Sequence, residues 1–135
     1  MVSRLLFGGI GNDNCNNSYM TFTQIEQTVC NYFGNDLDIE TLHGFNKCRN
    51  KHELSMIRMI ARRLQFVCDD VQYRRKRKGW GIVANYNSIP LIAKHWNCNR
   101  QTIYNSLYKT TWLFYYEPRN DWTVHYNELR KLINY

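Results

Sequence analysis

The residues with the clearest chemical purpose are Asn99, Arg100, Gln101 and Thr102, consecutive polar side chains just after the tight turn at Asn97-Cys98. Amide side chains can make paired hydrogen bonds to adenine, a guanidinium can do the same to guanine, and a threonine methyl can touch the thymine methyl. Asn105 joins this set one turn later. Such groups reach base edges in a major groove only if a preceding helix props the next helix up by its N-terminus, which is the work of a helix-turn-helix. Ile89 to Leu107 has that spacing. Ser88 caps the first helix, and Pro90 sits in its first turn, where a missing N–H costs nothing. Ile89, Ile92, Ala93 and Trp96 supply its apolar positions, with Ala93 as the small residue where the helices cross. Asn99 caps the second helix, from Arg100 to about Tyr115. Its face of Ile103, Leu107, Thr111 and Phe114 packs back, and Tyr104, Tyr108, Trp112 and Tyr115 follow a neighbouring face.

Other chemistry has weaker support. The chain has five cysteines, an odd count, and no Cys-x-x-Cys pair, so buried thiols are expected rather than a disulfide framework or a zinc clip. His43, His52, His95 and His125 show neither ligand spacing nor a nucleophile partner. His95 is expected at the surface or on a phosphate. Asp69-Asp70 reads as a solvated helix end. The Gly8-Gly9-Ile10-Gly11 cluster lacks the Lys and Ser or Thr of a phosphate-binding loop. No catalytic residue, metal or cofactor is expected, and the chain does not read as an enzyme.

The formal net charge of +7 favours a polyanionic partner. The basic residues are clustered. Arg74, Arg75, Lys76, Arg77 and Lys78 form one block, and Lys47, Arg49, Lys51, Arg58, Arg62 and Arg63 form another. Together with Lys94, Arg58 and the 74–78 block are the candidate phosphate contacts. No apolar run is long enough for a membrane span, so no membrane partner is expected. The cytoplasm is the expected compartment, the host's if the gene is viral.

The remaining elements follow from periodicity. Residues 1–19, rich in Gly and Asn, read as a tail or loop, and 20–135 as one domain. A helix starts near Thr21 or Thr23, with Thr23-x-x-Glu26 fitting a capping box. It carries Ile25, Val29, Tyr32 and Phe33 on one face, and Gly34-Asn35 ends it as a left-handed cap. A short helix follows from Asp38 to Leu42, then a basic loop from Gly44 to His52. A stronger helix runs from about Glu53 to Val67 on Leu54, Ile57, Ile60, Ala61 and Leu64. Residues 68–87 hold Val71, Tyr73 and Ile82-Val83 around Gly79-Trp80-Gly81, which fits a short β-hairpin or a helix and loop. Asp121 caps a last helix bearing Val124, Leu129, Leu132 and Ile133. The expected fold is an all-α bundle containing the helix-turn-helix.

From about Thr21 to Leu132 the chain resembles the C-terminal DNA-binding domain of the bacterial replication initiator DnaA. Met20 to Ile25 and Cys30 to Gly34 look like that domain's opening helix. Cys48-Arg49-Asn50-Lys51, then Arg58, Ile60, Ala61 and Leu64, look like its basic loop and long helix. Ser88-Ile89-Pro90-Leu91-Ile92-Ala93 is similar to the family's Ser-Leu-Pro-x-Ile-Gly. Asn99-Arg100-Gln101-Thr102-Ile103 falls on its Asp-His-Thr-Thr-Val. The resemblance implies a recognition helix in the major groove and a basic loop, through Lys47, Arg49 and Lys51, in the adjacent minor groove. It implies that Arg58 contacts phosphate or supports that loop. Two departures stand out. Asn99, Arg100 and Gln101 replace the family's reading residues, so a different DNA sequence is expected. The segment at about 68–87 is an insertion. No Gly-x-x-x-x-Gly-Lys-Ser/Thr is present, so ATP-driven initiation is not expected of this chain.

The expected function is therefore sequence-specific binding of double-stranded DNA, as a replication-origin or transcription regulator of a phage or mobile element, with a monomer favoured. Two alternatives remain. Tyr73, Trp80 and Tyr86 around the basic block suit stacking of single-stranded nucleic acid. An interaction or virion protein that keeps the fold without reading DNA is the other.

Overall fold

A computed structural model describes residues 20–34, 36–44, 51–76 (side chains of 51–69) and 88–133. Six α-helices and no strand are found among them. They are α1 (Phe22–Phe33), α2 (Ile39–His43), α3 (Lys51–Lys76), α4 (Ser88–Trp96), α5 (Arg100–Tyr116) and α6 (Asp121–Ile133). The all-α bundle expected from the sequence is the observed architecture.

The first helix starts on a capping box, but not on the expected residues. Thr21 is the N-cap: its hydroxyl accepts from the Gln24 N–H at 3.1 Å, and the Gln24 side chain accepts from the Thr21 N–H at 2.8 Å. Two otherwise unsatisfied donors are thereby paired. Glu26, the residue that the alternative box would use, is turned into the core instead. Gly34 ends α1 with φ 129° and ψ 169°, a positive-φ conformation open to glycine but more extended than the left-handed cap expected. Helix α2 is held at both ends. The Asp38 carboxylate accepts from the Thr41 N–H at 2.7 Å. Arg58 donates from Nε to the Leu42 carbonyl at 2.6 Å and from Nη2 to the Gly44 carbonyl.

The centre of the bundle is α3. Its 26 residues span about 39 Å at the usual helical rise. Leu54, Ile57, Ile60, Ala61, Leu64 and Cys68 face inward. The helix both starts earlier and ends later than periodicity indicates. The stretch from Val67 to Lys76 contains no Gly or Pro, and its Arg, Lys and Gln are good helix formers. Val71 and Tyr73, which fit one arm of a hairpin, are therefore helical. The rest of that segment, with Arg77, Lys78, Trp80 and Tyr86, lies outside the described residues, as do Lys47 and Arg49 of the basic loop.

Around α3 the remaining helices close one core. Ile25 and Val29 of α1, Leu42 of α2, Ile89 and Ile92 of α4, Ile103 of α5 and Leu129 of α6 have no exposed surface. Helix α6 is turned from the face expected. Thr123, Tyr126, Leu129 and Ile133 are buried, while Val124 and Leu132 are exposed. Asp121 is its first helical residue, and the Asn120 carboxamide supplies the cap by accepting from the Trp122 N–H at 2.8 Å. Packing of α6 on α1 explains the rotation. His125 reaches Tyr32, whose hydroxyl lies 2.9 Å from its Nδ1, and Phe33 and Trp122 complete the aromatic cluster.

Candidate nucleic-acid interface

Helices α4 and α5 are joined by Asn97, Cys98 and Asn99. The geometry of this turn decides where α5 points. Asn97 adopts φ 54°, the left-handed conformation that Asn tolerates better than most residues. Its N–H donates to the Lys94 carbonyl at 3.1 Å, and the Cys98 N–H donates to the Ala93 carbonyl at 3.0 Å. This pair of bonds is a Schellman motif, which reverses the chain at the end of α4 while satisfying its last carbonyls. Asn99 then caps α5, its Oδ1 accepting from the Thr102 N–H at 2.9 Å and from the Thr102 hydroxyl at 3.1 Å. Ile89, Ile92, Ala93 and Trp96 on α4 and Ile103 on α5 are buried between the two helices and α3.

The first turns of α5 are polar and open. Asn99, Arg100, Gln101 and Asn105 are exposed, and Thr102 is half-buried. Gln101 Nε2 donates to Asn105 Oδ1 at 3.0 Å, one helical turn apart. This exchange uses one polar end of each amide and pre-orients both side chains. Asn99 and Thr102 are more committed, because the cap uses the Asn99 oxygen. Among the expected readers, Arg100, Gln101 and Asn105 thus carry the accessible hydrogen-bonding capacity. Lys94 on α4 is exposed as well, and Lys51 is exposed at the start of α3. Arg74, Arg75 and Lys76 fall in the last turns of α3.

The buried face of α5 differs from its apolar pattern. Ile103, Ser106 and Thr110 are buried, Leu107 and Phe114 only partly, and Thr111 is exposed. Small hydroxyl residues there let α3 approach closely, and arginines from α3 fill the gap. Arg62 Nη1 donates to the Ser106 hydroxyl at 3.1 Å. Arg63 Nη1 donates to Thr111 Oγ1 at 2.6 Å, and to the Leu107 carbonyl and Thr110 Oγ1 at 3.1 and 3.2 Å. The Arg62 guanidinium carbon also lies 4.5 Å from the centre of a Trp96 ring. Burial pushes the Arg62 pKa down from its ordinary value, and burial does the same to Arg58. The second basic block therefore divides: Lys51 faces solvent, whereas Arg58, Arg62 and Arg63 bind the protein's own backbone and hydroxyls. For Arg58, loop support is the role with geometry behind it.

Exposed aromatic residues continue down α5 from the polar turn. Tyr104, Tyr108, Trp112, Tyr115 and Tyr116 are all more than 40% exposed. Trp112 and Tyr116 stack at 4.6 Å, and a shallow groove beside them is lined by Tyr108, Lys109 and Glu117.

Three side chains distant along the chain meet at one buried carboxylate. His43 and His95 both converge on Glu26. His43 Nε2 lies 2.7 Å from Glu26 Oε1, and His95 Nε2 lies 2.8 Å from Oε2. His95, expected at the surface or on a phosphate, is turned instead towards the interior carboxylate. No linear spacing signals this cluster, because its members come from three helices. Among the described residues, no helix is long and apolar enough to cross a membrane. Comparison with protein-family models, curated proteins and solved structures finds no match to the chain.

Proposed function

We propose that this chain binds double-stranded DNA in a sequence-specific manner, with α4 and α5 as the helix-turn-helix and α5 entering the major groove. The observation that carries this reading is the exposed Arg100, Gln101 and Asn105 set on the opening turns of α5, presented by a Schellman turn and an Asn99 cap. A guanidinium beside a pre-oriented amide pair suits one guanine and one adenine edge. The net charge of +7 supports phosphate contact from Lys51, Lys94 and the 74–78 block. The resemblance to the DnaA C-terminal domain supports a second contact, from the Lys47–Lys51 loop to the minor groove. Regulation of a replication origin or a promoter in a phage or mobile element fits such a binder.

Selection from a randomised duplex library, followed by affinity measurement across a salt series, tests the reading. The selected duplex should bind at least about tenfold more tightly than random duplexes, and Arg100→Ala should remove roughly 1–3 kcal/mol of that discrimination. Equal affinity for every duplex at physiological salt overturns sequence-specific binding.

A second reading rests on the aromatic stripe of α5. Trp112, Tyr116, Tyr108 and Tyr104 offer faces on which unpaired bases can stack. Quenching of tryptophan fluorescence by oligothymidine, abolished by Trp112→Leu, would favour single-stranded nucleic acid.

A further inference from the structure

Glu26 sits in the middle of α1 with no exposed surface. Removing a carboxylate from water costs several kcal/mol unless it is fully partnered. Its partners are two imidazoles and a carboxamide: His43 Nε2 on Oε1, His95 Nε2 on Oε2, and Gln65 Nε2 donating to Oε2 at 2.6 Å. We propose that Glu26, His43 and His95 form a binding site for a divalent transition metal of the zinc class, with two imidazole nitrogens, one carboxylate and an open fourth position.

Geometry, ligand chemistry and support converge on this assignment. The three ligand atoms lie within 4.8 Å of one another. A tetrahedral zinc with bonds of about 2.0–2.1 Å needs ligand atoms about 3.4 Å apart. The two imidazole–carboxylate contacts, at 2.7 and 2.8 Å, are shorter than that, so small side-chain rotations would have to open them to admit the ion. Each imidazole then carries its proton on Nδ1 and offers the Nε2 lone pair. Two imidazoles with a carboxylate suit zinc or its neighbours, whereas calcium and magnesium favour oxygen ligands. The His43 and His95 side chains are 25% and 26% exposed, so the site has a path to solvent.

The surroundings hold the ligands in place. Gln65 Oε1 accepts from Trp96 Nε1 at 2.8 Å while its Nε2 holds Glu26. The His43 ring stacks on Trp96 at 4.1 Å, and the His95 ring meets Phe22 edge-on at 5.4 Å. The ring contacts limit imidazole rotation, and loss of an outer hydrogen bond such as that from Gln65 typically changes metal affinity by about 10–100-fold. Arg62 works against the ion, since its charge already acts on Glu26. Three donors leave about one of the acceptor sites of the carboxylate open, and two of the three are imidazole nitrogens that can bind a metal instead. The ion would join α1 to the end of α2 and to α4.

The test uses the reduced, chelator-treated full chain and needs no nucleic acid, so it stands apart from the DNA-binding reading. Co2+ titration followed by its visible absorption should show stoichiometric uptake without a thiolate charge-transfer band, and Zn2+ should displace the Co2+. Zn2+ should also raise the melting temperature. His43→Gln and His95→Gln should each lose the spectrum and the melting shift. Trp96→Phe, which keeps all three ligands but removes the Gln65 anchor, should weaken uptake about 10–100-fold. Circular dichroism checks that each variant is folded. Undiminished uptake by folded His43→Gln and His95→Gln overturns the proposal, as does a thiolate band or no uptake by the wild-type chain.

Discussion

His43 Nε2 lies 2.7 Å from Glu26 Oε1, joining the last residue of α2 to the buried centre of α1. Glu26 is thereby the point where α1, α2, α3 and α4 share one polar network. Glu26→Ala leaves two imidazoles and the Gln65 amide without their acceptor. The expected loss is roughly 1–3 kcal/mol, measured by urea unfolding in chelator. A loss below about 1 kcal/mol would show that water replaces the carboxylate freely.

Arginines facing the protein and lysines facing solvent should separate in experiment. Arg63→Ala removes hydrogen bonds to the Leu107 carbonyl and the Thr110 and Thr111 hydroxyls. It should cost about 2 kcal/mol of stability and leave the salt dependence of the proposed duplex binding unchanged. Lys94→Ala should do the reverse, changing stability by less than about 0.5 kcal/mol. If Lys94 neutralises a phosphate, its loss lowers the log–log salt slope by about one unit. Combined salt titrations and melts of both variants read the difference.

Asn97 holds φ 54° between α4 and α5. Asn97→Ala places a side chain without local hydrogen-bonding capacity in that conformation and should cost about 1 kcal/mol, while Asn97→Gly should be close to neutral. Equal melting temperatures for the Ala and Gly variants would mean that the turn has rearranged.

At Asn99, capping and base reading can be separated. Asn99→Ser keeps an acceptor for the Thr102 N–H, whereas Asn99→Ala loses it at a cost of about 1 kcal/mol. Since the Asn99 oxygen is engaged by the cap, Asn99→Ser should hold both stability and affinity for a selected duplex. A large loss of affinity with unchanged stability would identify Asn99 as a base reader.

Asp38 gives the acid limb of stability a defined contributor. Hydrogen bonds from Thr41 hold its carboxyl below the ordinary carboxylate range. A depressed folded value means stabilisation that is present above the unfolded pKa of about 3.9 and lost as pH falls through the folded one. Asp38→Asn retains a cap but does not titrate, so its stability should fall less steeply over that acid interval in pH-dependent melts.

Local signals were legible in the sequence. The Asn99 cap, the Asn97-Cys98 turn and the early Pro90 place α4 and α5 to within a residue, because each acts over one helical turn. The end of α3 was harder to see. Val71 and Tyr73 match strand preferences, yet a helix already packed on the core continues where no Gly or Pro breaks it, and none lies between Val67 and Lys76. A linear basic run likewise does not reveal which arginines face outward. That depends on which side of α3 meets α5, and Arg62 and Arg63 lie on that side.

Thr21-x-x-Gln24 and Thr23-x-x-Glu26 have equivalent capping-box spacing, and the sequence by itself determined only that a helix opens there. The tertiary structure selected between them. His43, Gln65 and His95 arrive from other helices and make the interior a better place for the Glu26 carboxylate than a solvated first turn. The places where the helices begin and end, α4 and α5 included, rest largely on signals within a few residues, so the sequence determined them. The Glu26 cluster rests on groups distant along the chain, whose meeting only the packing of four helices decides.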